Sequence, residues 1–194
     1  MSSLEASFRE LSSRLGLVDR MNPTHADPLF HFVYPPEETG ELMRSLPRWR
    51  ARLEKDGWRV HVRSIAEVMW KVIDASGRWE TWLEVEPDCS TAEAVGAVRD
   101  ALRVKEGSGQ PGLAAAILDL VSRGERNRLL LLTDAALLHP FYRVRAIESL
   151  VHDRVASPTV LFYPGKRVGQ FGLRFLGFYP EDANYRSSIV GGDA

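Results

Sequence analysis

Leu4, Phe8, Leu11 and Leu15 fall on one stripe of a helix, with Glu5, Arg9, Glu10 and Arg14 between them. An amphipathic helix within residues 1–20 is therefore expected to pack on the rest of the chain. The prolines of "MNPTHADP" break it. The apolar run Leu29 to Tyr34 then predicts a short buried strand, closed by Pro35-Pro36. Helical spacing returns from Glu37 to Lys55. Pro47 is expected to kink or split that helix, because it lacks an N–H and crowds the preceding turn.

"WRVHVRSI" alternates apolar and polar positions, as a strand with one more buried face does. Two capping boxes follow, Ser64 with Glu67 and Ser90 with Glu93, and predict helices over Ile65 to Ala75 and Thr91 to Val104. Between them Trp79, Trp82 and Leu83 share a helical face. "KEGSGQPG" predicts a flexible turn and Leu113 to Arg123 a helix. "RLLLLTD" and "SPTVLFYP" are apolar runs suited to strands covered on both faces, and "FYRVRAIESLVHD" between them reads as a helix. Strand, helix and strand at that spacing make a right-handed parallel βαβ unit. The fold class expected is α/β, a three-layer sandwich with a mostly parallel central sheet. It is P-loop-NTPase-like or Rossmann-like without a Walker A motif.

A chain of 194 residues with 44% hydrophobic and 26% charged residues suits one domain over 1–194. The formal net charge of −1 provides no bulk attraction to nucleic acid or an anionic membrane, although cations modestly exceed carboxylates between Arg126 and Arg186. The single cysteine, Cys89, excludes an intramolecular disulfide and a cysteine zinc site. The N-terminus lacks a signal-peptide pattern and no apolar stretch is long enough for a bilayer. A cytoplasmic protein without membrane contact is expected.

In such a fold ligands sit beyond the carboxyl ends of the strands. Those ends are "YPPEETG", "TDAALLHP" and "YPGKRVGQ". A phosphate-binding loop of the GxxxxGK[ST] form needs glycines before its lysine and a hydroxyl after it. Here the glycines before Lys166 are missing and Arg167 stands where Ser or Thr is required. Asp134 imitates the acid that ends a magnesium-holding strand, but a cap for the next turn is the commoner role of such an Asp. His139 has no serine in a GxSxG setting, and the five histidines show no HExxH spacing. No metal, cofactor or catalytic residue is therefore expected. Arg143 and Arg145 are expected on different sides of a helix, one of them able to hold an oxyanion bidentately. Tyr185 and Arg186 are of the types that dominate binding hot spots, though packing is the commoner role.

Several motifs together resemble the BrxB family of BREX bacteriophage-exclusion systems. They comprise Pro140, Phe141 and Arg143, then Pro158 and the run Val160 to Gly165, then Gly169, Gln170 and Leu173, and finally Asn184, Tyr185 and Arg186. "FVYPPEE", Phe32 to Glu38, belongs to the same pattern, and Asp134 departs from it. The resemblance implies a non-enzymatic component of a phage-defence complex, an adaptor beside a PglZ-type, alkaline-phosphatase-like subunit and other BREX proteins. Partner-binding residues are then expected among Arg143, Arg145, Tyr163, Lys166, Arg167, Gln170, Tyr185 and Arg186. Pro35, Pro36, Pro140, Pro164, Gly165 and Gly169 would shape structural loops. The alternative is a degenerate nucleotide-binding protein using Lys166, Arg167 and Asp134, or a subunit that touches DNA only within the complex.

Overall fold

The computed structural model describes residues 3–18, 28–103, 112–183 and 185–192. Most of the predicted break at 21–28, most of the turn at 105–112, Val104 and Asn184 lie outside the described residues. The elements run α1 (Ser3–Val18), β1 (Leu29–Tyr34), α2 (Thr39–Lys55), β2 (Arg59–Ser64), α3 (Ile65–Ala75), α4 (Trp79–Val85), α5 (Thr91–Leu102) and α6 (Leu113–Val121). Then follow β3 (Arg128–Thr133), α7 (Val144–Val151), β4 (Thr159–Val168), β5 (Gly172–Phe175) and β6 (Ser188–Gly191). The sheet order is β2-β3-β4-β1-β6, parallel throughout, and β5 pairs antiparallel with the far end of β4.

Successive strand residues point to opposite faces, so the central strands feed two cores. Phe30, Phe32, Leu129, Leu131, Val160 and Phe162 meet the stripes of α1 and α2. Leu29, Val33, Leu130, Leu132, Leu161 and Tyr163 meet α3, α6 and α7. The chain is thus an α/β sandwich of three layers. Leu4, Phe8, Leu11 and Leu15 are all buried, as their spacing predicts.

Three expectations are corrected. Pro47 does not split α2, which runs unbroken from Thr39 to Lys55. The carbonyl that loses its donor belongs to Met43, and both residues face solvent while Leu42, Leu46, Trp49 and Leu53 hold the opposite face. Pro164-Gly165 does not end β4, which runs on to Val168. The ladder to β3 stops at Leu161 and that to β5 starts at Gly165, so Pro164 falls between the two, where its carbonyl still accepts the Leu176 N–H at 2.9 Å. Gly165 is needed for close approach: an added Cβ would stand 2.3 Å from the Arg174 carbonyl oxygen of β5. The turn falls at residues 169–171, where Gly169 adopts φ +62°. Gly165→Ala is accordingly expected to cost about 1–3 kcal/mol, seen as a lower urea midpoint. An unchanged midpoint would mean that β5 does not press on β4.

The third correction concerns α7, which begins at Val144 and leaves Phe141 and Tyr142 in the preceding loop. Caps behave largely as predicted. Ser90 and Glu93 form the reciprocal box, whereas Ser64 makes only the first half, accepting from the Glu67 N–H.

Candidate functional site

The parallel strands all point their carboxyl ends to one rim, where the chain crosses from β1 to the α1/α2 layer and from β4 to the β5 hairpin on the other face. That divergence makes the crevice between β1 and β4 the default ligand position. It holds a cleft of about 190 Å³ beside Ser3, Ser7, Glu37 and Lys166. A phosphate there would need clustered backbone N–H donors. Pro35 and Pro36 remove two of them, and Glu37 and Glu38 put negative charge at the head of α2. Asp134, at φ +62°, accepts a hydrogen bond from the Thr133 hydroxyl at 2.8 Å; it occupies the cap position without capping the following turn. Among the described residues no group of three or more His, Cys, Asp or Glu side chains is placed to hold a metal ion.

The predicted site residues divide into separate groups. Lys166 reaches the β1–β4 cleft. Arg167 donates to the carbonyls of Gly169 and Gln170, which places it with Gln170 at the exposed hairpin. Tyr163 and Tyr185, expected among the partner contacts, are instead buried, 0% and 2% exposed, and neither side chain is presented at the surface. Residues 188–191 form β6 along β1, a strand not foreseen, and this draws the preceding segment inward. His31 stands edge-on to both tyrosine rings, at 5.7 and 5.0 Å, and its Nδ1 hydrogen-bonds the Ser187 hydroxyl at 2.5 Å. His31 Nε2 and both tyrosine hydroxyls find no hydrogen-bond partner among the described residues. Burial pushes the Tyr185 phenol up to about 12 and the Tyr163 phenol higher still. At the edge of this cluster Arg145 lies over the Tyr185 ring and pairs with buried Glu148. Glu148 also accepts the Arg186 N–H, and a cavity of about 200 Å³ opens between them.

Arg143 belongs to another group on the rim. The loop after β3 and the loop after β5 are clipped together by His139, whose Nδ1 hydrogen-bonds the Tyr179 hydroxyl and whose ring stands edge-on to Phe178 and Tyr179. Arg143 caps the stack, 4.6 Å above the Tyr179 ring. Leu137 and Phe178 remain 56% and 66% exposed on these two loops.

A second apolar surface lies on α4, none of whose residues is buried. Trp70 and Trp79 stack at 5.9 Å, Trp79 meets Trp82 edge-on, and Leu83 and Val85 are at least half exposed. Trp79, Trp82, Leu83 and Val85 border an open groove of about 510 Å³ against α5. The sequence carries its signal, three of five tryptophans within residues 70–82, but periodicity alone reads such a stripe as core.

No helix among the described residues is long and apolar enough to cross a membrane. The family model described as BREX protein BrxB matches residues 62–190, from β2 to β6 and about two thirds of the chain. Phe32 to Glu38, which also resembles that family, precedes the matched span. No curated protein and no solved structure matches the chain. The match takes in both exposed apolar surfaces and the strand-end loops after β3 and β4. The chain therefore belongs to the BrxB family and is a component of a BREX phage-defence system, in which other BREX subunits are its partners.

Proposed function

We propose that this BrxB protein is a non-catalytic adaptor that binds another BREX subunit, the PglZ-type alkaline-phosphatase-like protein. One observation carries the reading: the chain keeps large apolar side chains, Leu137 and Phe178 on the rim and Trp79, Leu83 and Val85 on α4, out in solvent. Grouped exposure of this kind marks binding surfaces, because burying it against a partner releases the free energy the fold itself leaves unused. The rim is the preferred contact, since the Arg143–Tyr179–His139 clip holds Phe178 on a fixed support. Arg143, over the Tyr179 ring, is then a polar contact beside it, while Lys166 at the β1–β4 cleft and Gln170 at the hairpin are further contacts apart from it.

The test is co-expression with the PglZ-type subunit, followed by size-exclusion chromatography with light scattering. A stable complex is expected. Phe178→Asp with Leu137→Asp should weaken it at least about tenfold, as loss of a central anchor does. Leu83→Asp is the matching change on α4. A complex that forms equally well with both surfaces altered would overturn the assignment of the site.

The nucleotide-binding alternative built on Lys166, Arg167 and Asp134 finds less support. The β1–α2 connection offers prolines and glutamates where phosphate would need N–H donors, and Arg167 is engaged with the hairpin carbonyls.

A further inference from the structure

Three arginines approach one open cavity of about 390 Å³ between the end of α5 and the loop that leads into α7. Arg99 donates to the Pro140 carbonyl at 2.8 Å, and Arg143 lies over Tyr179, so both guanidinium groups are held in place by neutral partners. Among the described residues Arg103 makes a loose ion pair with Asp100, 3.7 Å away and well exposed. No carboxylate lines the cavity among the described residues. Among the described residues, Asp100 at the margin is the acid set against this array, whereas Glu37 lines the β1–β4 cleft itself. Phe141 and Tyr142 supply flat walls beside it.

We infer that this cavity is a binding site for a phosphate group carried on an organic molecule, either a free nucleotide or the end of a polynucleotide strand. Two pre-oriented guanidinium forks and a third cation match the charge of a phosphate dianion better than that of a single carboxylate. The space beyond the arginines is larger than one phosphate needs, and the aromatic walls suit a planar base. Tyr142, which lines the cavity, adds a phenol O–H donor, protonated at neutral pH. The site is distinct from the rim contact of Leu137 and Phe178, although Arg143 lines it and also lies over Tyr179 at the rim.

Fluorescence anisotropy of the full chain with a 5′-phosphorylated, 3′-labelled single strand of about 12 nucleotides tests the inference. Unlabelled ADP and pyrophosphate serve as competitors. Competition by ADP identifies the free nucleotide as a sufficient ligand, and binding that only the strand sustains identifies the polynucleotide; either outcome supports the site. Arg99→Ala and Arg103→Ala should each weaken binding about tenfold and lower the salt slope by about one. Arg143→Lys, which keeps the cation but not the fork, should weaken it about threefold or more. Arg44→Ala, exposed on α2 on the opposite face of the sheet, should change it less than about twofold. Thermal melting by circular dichroism confirms that each variant is folded. Absence of binding to every probe, or equal binding by folded Arg99→Ala and Arg103→Ala chains, overturns the proposal.

Discussion

Replacing Trp49 by alanine is expected to destabilise the chain by about 3–5 kcal/mol, the range for removing a buried large aromatic side chain. Trp49 is 1% exposed and forms the hub of the α1/α2 layer. It stacks on Phe8 at 4.6 Å with rings 2° from parallel and touches Phe32 at 5.6 Å. Its indole N–H donates to Glu5 at 3.1 Å. That bond, with Arg52 and Arg48 beside it, holds the Glu5 carboxyl below the usual carboxylate range. The alanine therefore opens a cavity and also strips one donor from a carboxylate that ties α1 to α2. Trp49→Phe retains much of the stack and loses the donor, so its cost should be nearer 1 kcal/mol, while the two arginines still hold Glu5. Urea denaturation followed by circular dichroism measures both. A loss below about 1 kcal/mol for the alanine would mean that the layer closes over the gap and that α1 is not anchored through this residue.

Acid should destabilise the fold through His31. The imidazole is fully buried, and burial first and Arg145 second push its pKa down from the ordinary 6.5 to about 3. The folded-state value lies below the unfolded one, so the unfolded chain takes up the proton first as pH falls. Stability from this residue is complete above about pH 6.5 and is lost progressively until about pH 3, at about 1.4 kcal/mol per pH unit. Between pH 7 and pH 5 the loss is about 2 kcal/mol. His31→Phe keeps an aromatic ring between Tyr163 and Tyr185 and cannot titrate. The unmodified chain should lose about 2 kcal/mol more than the variant over that interval, measured by urea unfolding at the two pH values. Parallel losses would show that the protonated imidazole finds a partner inside the fold, against the neutral packing seen beside Ser187.

The two tyrosines show why the candidate site was only partly legible. Tyr163 and Tyr185 are of hot-spot type, and nothing in local pattern distinguishes a packed tyrosine from an exposed one. Their burial follows from β6, a strand of four residues too short to show a period of its own, which exists because β1 offers an open parallel edge. Pro164-Gly165 misled for a related reason. Proline and glycine punctuate most chains, but here β4 has left β3 by that point and β5 needs a residue without a Cβ. The tryptophan surface of α4 was foreseen as a helix and missed as a surface. An apolar stripe states what should be buried and not whether its cover belongs to the same chain.

Sequence alone determined the elements whose partners are near or whose pattern is strong: the stripe of α1, the apolar runs of β1, β3 and β4, the capped starts of α3 and α5, and the β3–α7–β4 unit. It also carried the family motifs, because those depend on residue identity and order. Tertiary structure decided which polar and aromatic residues face solvent, that Arg99 and Arg103 share a cavity with Arg143, and that His31 sits beneath Ser187. These pairings join residues about 40 to 156 positions apart. Such contacts are chosen when two packed layers close on a sheet, where burial of whole faces outweighs any preference that a local stretch can express.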